Sequence, residues 1–242
     1  MEYGQAEMMC VALAREIKDN DVVFHGVASP VPMTAIKLAK ALGKDFTYIN
    51  VTGGVDPKWE DPAFVGSTLS SNLYLGSVAT FGADETLDFA CSGKLDIAFL
   101  SFVQLNQKGE INMSYIGGNY DKPKVRLPGG AGSATLSQVA KKTLVWRTKH
   151  DKNSLAREVQ FITAAADPGK QFIVFTNLCV FRLVNGLLEL DSIFPYTTLD
   201  EVKENTGWEI TQKEIRIYQE PTPEELAALE KVDPNRIRYI EF

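Results

Sequence analysis

An apolar run that ends in glycine, a helical stretch, and a second apolar run that ends in glycine follow one another within the first 54 residues, and this succession restricts the fold more than anything else in the chain. The first run is Asp21-Val22-Val23-Phe24-His25-Gly26, the helical spacing covers Pro32 to about Leu42, and the second run is Phe46-Thr47-Tyr48-Ile49-Asn50-Val51 before Thr52-Gly53-Gly54. Runs this short and this apolar are strands covered on both faces, and the helix between them is the crossover that parallel pairing requires. Ligands of open α/β sheets settle at the tips of such strands.

The remaining periodicity fits an α/β chain with an open, mixed, mostly parallel sheet. Gln5 to Ile17 reads as an amphipathic first helix stopped by Asp19-Asn20-Asp21, and Asp84 to Cys91 reads as another helix. Leu95 to Leu100 is the next buried strand, with its tip at Ser101 to Gln104, whereas residues 106 to 126 show no regular period and are expected to be loop. Pro128-Gly129-Gly130-Ala131-Gly132-Ser133 then leads into a helix expected over Thr135 to Lys142. Further strands fall at 143–146, 172–175, 179–183 and 187–190, and Asn185-Gly186 marks a hairpin between the last two. Helices are expected over Leu199 to Asn205 and Pro223 to Lys231, capped by Thr198 and Thr222. At 242 residues and 45% hydrophobic content the chain is expected to form one domain over 1–242.

Several function classes are set aside by composition. A net charge of −6 argues against a surface that coats nucleic acid. Cys10, Cys91 and Cys179 are far apart, and His25 and His150 have no Cys, His or carboxylate companions at ligand spacing, so no disulfide framework or metal site is expected. No run reaches the roughly 18 apolar residues of a membrane span, and the opening residues form no leader pattern, so a cytoplasmic protein is expected. Nucleotide loops of the G-x-G-x-x-G or Walker type and a G-x-S-x-G elbow are not found. The glycine-rich turn at 129–133 has two readings: backbone N–H groups free to meet a substrate oxygen, or a tight turn before a helix.

Taken in order, Tyr48-Ile49-Asn50-Val51-Thr52-Gly53-Gly54, Gln104-Leu105-Asn106-Gln107-Lys108-Gly109-Glu110-Ile111-Asn112, Tyr115-Ile116-Gly117-Gly118, Arg126-Leu127-Pro128-Gly129-Gly130-Ala131-Gly132, Thr176-Asn177-Leu178-Cys179-Val180-Phe181 and Thr198-Leu199-Asp200-Glu201-Val202 with Thr206-Gly207-Trp208 resemble the β subunits of family I CoA-transferases of the glutaconate CoA-transferase type. The resemblance implies that family's open α/β fold, an α subunit as partner, and an acyl-CoA thioester as substrate with no bound cofactor. It also implies that Gly129, Gly130, Ala131 and Gly132 offer donors to the thioester oxygen, and that Val51, Thr52, Gly53 and Gly54 shape the acyl pocket. Gln104 and Asn112 are the secondary polar candidates.

In that family a glutamate attacks the acyl-CoA carbonyl and carries CoA as a thioester. Val51 stands at the matching position and has no nucleophile, while Asn106 and Glu110 depart from the family's usual Asp and Asn. The resemblance therefore implies a shifted reaction, similar to the two-subunit hydrolases that cleave a C–C bond in CoA-linked steroid breakdown, with the needed carboxylate on the α subunit. The alternatives are a true transferase with its nucleophile elsewhere, for example Glu60, or a ligand-binding module of related architecture.

Overall fold

The structure, a computed structural model, describes residues 2–26, 29–58 and 73–242. Trp59, Glu60 and Asp61 lie outside the described residues. The chain divides into two compact units, one made of 1–99 with 220–242 and the other of 100–219.

The first unit begins with α1 (Gln5–Arg15) and continues through β1 (Val22–His25), α2 (Pro30–Ala41), β2 (Thr47–Asn50), β3 (Gly54–Val55), β4 (Ala79–Thr80), α3 (Ala83–Phe89) and β5 (Ile97–Ser101). β1 lies between β5 and β2 and is parallel to both, which is the pairing that the two glycine-ended runs demand. β3 and β4 add antiparallel ribs beyond β2. α2 starts at Pro30, whose fixed φ suits the first helical turn, and it is buried from Pro30 through Ala39. α1 differs from the amphipathic reading, because Ala6 through Ala14 are all buried. Its polar member Glu7 is covered by the C-terminal segment.

The second unit contains β6 (Gln104–Leu105), β7 (Glu110–Asn112), β8 (Tyr115–Gly118), β9 (Pro123–Arg126), α4 (Ser133–Val139), β10 (Lys142–Arg147), β11 (Ala164–Ala165), β12 (Gln171–Thr176), β13 (Cys179–Val184), β14 (Leu187–Ile193), α5 (Leu199–Asn205) and β15 (Arg216–Ile217). β10 and β12 are parallel, β12, β13 and β14 run antiparallel, and β15 returns parallel to β14. The Asn-Gly hairpin is as expected, with Asn185 and Gly186 both at positive φ. Residues 106–126 are not loop: β7 pairs with β6 and β11, and β8 pairs with β9. These strands have two to four residues and are broken by glycines, too short for a period to register. α4 ends at Val139 because Ala140 is already extended, so β10 begins at Lys142, inside the helix expected from sequence.

α6 (Pro223–Val232) completes the first unit and packs on α1 and α2. Thr198 and Thr222 cap α5 and α6, each accepting from the N–H three residues on. No described helix is long and apolar enough to cross a membrane.

Candidate functional site

In the first unit the turn after β2 is set by Asn50, which is fully buried. Its Oδ1 accepts from the Thr52 amide at 3.0 Å and the Thr52 hydroxyl at 2.6 Å, and its Nδ2 donates to the Leu73 carbonyl. Gly53 has φ +85°, and a Cβ there would lie 1.9 Å from the Phe81 carbonyl oxygen. At Gly54 a Cβ would lie 2.2 Å from the carbonyl oxygen of Leu73. Both glycines are therefore dictated by backbone that crosses the turn at contact distance. Val51 is half-buried at the start of this turn and brings no carboxylate.

His25 ends β1 in register with Asn50. Its Nδ1 is 2.9 Å from the Tyr48 hydroxyl, and among the described residues its buried Nε2 has no hydrogen-bond partner. Burial lowers its pKa to about 4, against a smaller upward pull from the Ser29 backbone, so the imidazole is neutral at pH 7. The hydroxyl of Tyr48 is held well above its ordinary pKa by the same burial.

In the second unit Gln104 and Asn112 face each other across β6 and β7. The Asn112 amide donates to Gln104 Oε1 and to the Tyr115 carbonyl, each at 2.8 Å, and its Oδ1 accepts from the Ser114 amide at 2.9 Å. Asn112 is fully buried and its hydrogen-bonding capacity is spent, so it braces the 112–115 turn rather than presenting an amide to a ligand. Gln104 Oε1 also accepts from the Gln160 amide at 3.2 Å.

That braced turn carries the glycine loop. The Gly129 amide donates to the Met113 carbonyl at 2.8 Å, so this N–H is already used. Thr163 accepts from the Met113 amide at 2.9 Å through its hydroxyl, and its methyl carbon would be 2.5 Å from a Cβ on Gly130. Only glycine fits at 130 without moving Thr163. Among the described residues the N–H groups of Gly130, Ala131 and Gly132 donate to no partner. Ala131 is exposed and has φ +43°. Three successive unspent donors on a bend are what a developing oxyanion needs. The sequence missed Thr163, Ser114 and Met113, which hold the bend, because nothing local ties residue 163 to residue 113.

Asn106 and Glu110 meet each other. The Asn106 Nδ2 donates to Glu110 Oε2 at 2.5 Å, and Asn106 Oδ1 accepts from the amides of Lys108 and Glu110 at 3.1 Å. The turn is closed by these two side chains satisfying each other. A cavity of about 630 Å³ beside this turn is lined by Lys108, Arg157 and Trp208 among others, and none of its walls belongs to the glycine loop.

Residues 6–205 match the family model described as Coenzyme A transferase. The chain is 30% identical to the B-type polypeptide of the 3-oxoadipate CoA-transferase of Pseudomonas knackmussii, over 96% of this chain and 94% of that one. It is 23% identical to the B-type polypeptide of the glutaconate CoA-transferase of Acidaminococcus fermentans, over 97% and 94% of the two chains. Among solved structures, the decarboxylase AibA/AibB superposes with a TM-score of 0.90 at 29% identity and covers 99% of both chains. With the strand-tip turn, the braced glycine loop and these likenesses together, the chain belongs to the coenzyme A transferase family.

Proposed function

We propose that the chain is the β subunit of a two-subunit enzyme acting on an acyl-CoA thioester, and that its reaction forms no glutamyl-CoA in this chain. Val51 carries the proposal: a valine stands where the family's attacking carboxylate would be, and an isopropyl group neither attacks a carbonyl nor holds CoA. The glycine loop supports a role in charge stabilisation, since the N–H groups of Gly130, Ala131 and Gly132 are unspent.

The reaction class that fits is hydrolytic C–C cleavage that opens a ring on a CoA-linked intermediate, as in steroid breakdown. Water adds to a ring carbonyl, and the bond to the carbon beside the thioester breaks. The electron pair passes into the thioester as an enolate, whose oxygen the loop receives. A proton then returns to that carbon and a carboxylate is left on the other side. The carboxylate that activates the water belongs, in this reading, to the α subunit. The likeness to a decarboxylase at 29% identity favours C–C chemistry on this fold.

The likeness to a 3-oxoadipate CoA-transferase favours a second reading, transfer with the nucleophile elsewhere. One experiment separates the two. The αβ enzyme is incubated with 3-oxoadipyl-CoA or glutaconyl-CoA, treated with borohydride and mapped by mass spectrometry. The expected result is no reduced glutamate anywhere in this chain; a reduced Glu60, or any other reduced glutamate here, would establish transfer instead.

A further inference from the structure

On a chain with a net charge of −6, the hairpin of β8 and β9 concentrates positive charge on one short segment. Lys122, Lys124 and Arg126 are all exposed and stand at alternate positions, with Asp121 the one acid of the hairpin turn. Alternate residues of a strand share a face, so at least Lys124 and Arg126 point the same way. Among the described residues the ammonium groups of Lys122 and Lys124 pair with no carboxylate and donate no hydrogen bond. Cations left unpaired beside one another raise each other's energy and are relieved by an anion.

The strand is shaped to hold them. A Cβ at Gly117 would lie 2.8 Å from Cδ of Lys124, so the lysine stem lies across the space that glycine leaves. Gly117 is pinned in turn, its amide donating to Gln160 Oε1 at 2.6 Å. The Arg126 guanidinium sits 4.8 Å over the Tyr120 ring and donates to the Tyr120 carbonyl. Tyr120 stacks on Phe161 with centroids 5.6 Å apart, and Tyr115 meets Tyr120 edge-on at 6.2 Å. The cations are thus carried on a stiffened aromatic base, which lowers the ordering cost of binding.

Position along the chain supplies the rest. β9 runs directly into the glycine loop, and Lys124 lies five residues before Gly129, a reach of at most about 18 Å. Coenzyme A has that layout, with a thioester at one end of an extended pantetheine arm and a diphosphate with a 3′-phosphate at the other. The geometry points to the hairpin face of Lys122, Lys124 and Arg126 as the site that receives the phosphate-bearing end of coenzyme A. This assignment rests on the acyl-CoA reading above.

The test measures binding of CoA, dephospho-CoA and pantetheine to the αβ enzyme by calorimetry, for wild type and for Lys122→Gln with Lys124→Gln. The double variant should bind CoA on the order of tenfold more weakly and pantetheine unchanged. Wild-type affinity for CoA, and not for pantetheine, should fall as salt rises. A smaller loss for dephospho-CoA would place the 3′-phosphate on the lysines, and an equal loss would place the diphosphate there. Wild-type strength of CoA binding in the variant would overturn the hairpin assignment alone. Dissociation of the two subunits in the variant would also overturn it, because the face would then serve an acidic stretch of the partner. No CoA binding by wild type would overturn the acyl-CoA reading itself.

Discussion

Both histidines are buried and neutral in the folded chain, and this ties stability to pH. His150 donates to or accepts from the hydroxyls of Thr176 at 2.9 Å and Thr206 at 3.0 Å, and burial lowers its pKa to about 4, as it does for His25. A base whose folded pKa lies below its unfolded value of 6.5 gives up stability as acid rises, since the unfolded chain takes up protons that the folded chain refuses. Full stability is therefore present above pH 6.5 and is lost as pH falls toward 4. The expected loss is roughly 2 kcal/mol per histidine by pH 5. No third histidine shares that window, so His150→Asn should halve the pH slope of urea unfolding between pH 7 and pH 5. A flat profile for the wild type would show that both imidazoles take up protons in the folded state as they do in the unfolded chain. Neighbouring Cys179 is pushed well above its ordinary pKa by burial, so the Cys179 and His150 pair packs as neutral groups and offers no thiolate.

Among the elements, α6 and the residues after it show two kinds of support with unequal weight. Thr222 and Glu225 cap α6 reciprocally, a pattern plain in Thr222-Pro223-Glu224-Glu225. Beyond the helix, Arg238 is buried and donates to Glu7 of α1 at 2.7 Å and to Asp233 at 3.0 Å. Burial raises the Glu7 pKa, but hydrogen bonds from Tyr239 and Arg238 outweigh that and leave it lowered. Its contribution is present above the unfolded carboxyl value of 4.5 and is lost as pH falls through the lower folded value. Removing Glu7 takes one of three carboxylates from a buried guanidinium that keeps Asp233 and Glu230, whereas removing a cap frees groups that water reaches. Glu7→Gln should thus cost about 2 kcal/mol and Thr222→Ala about 1 kcal/mol, read from urea midpoints; equal losses would mean that the Arg238 cluster is hydrated.

For the whole molecule, the family match at 6–205 takes in parts of both compact units, while α6 and the Arg238 cluster lie after it. The tail locks α1 from outside the matched frame, whereas the turn after β2 and the glycine loop both fall within it. Gly132 has φ −81° and ψ 2°, a negative φ that does not call for glycine. Gly132→Val should therefore assemble normally with the α subunit, while its bulk beside the three free N–H groups should lower thioester turnover by about 10²- to 10³-fold. Gel filtration of the αβ enzyme together with steady-state rates measures both; unchanged turnover would remove the loop from the chemistry.

The order of β1, α2 and β2, the Asn-Gly hairpin and the two threonine caps were legible in the residues, because each rests on a local rule of period or turn chemistry that needs no distant partner. That Val51 carries no nucleophile is plain from its side chain, whereas its match to the family's glutamate rests on the resemblance and on no local rule. Tertiary structure decided the rest: which N–H of the glycine loop is already spent on Met113, that Asn112 braces rather than binds, that Asn106 and Glu110 satisfy each other, and that α1 is covered on nearly every side. Each of these depends on contacts or burial that the finished backbone brings about, and hydrogen-bond satisfaction is a property of those contacts and not of residue type.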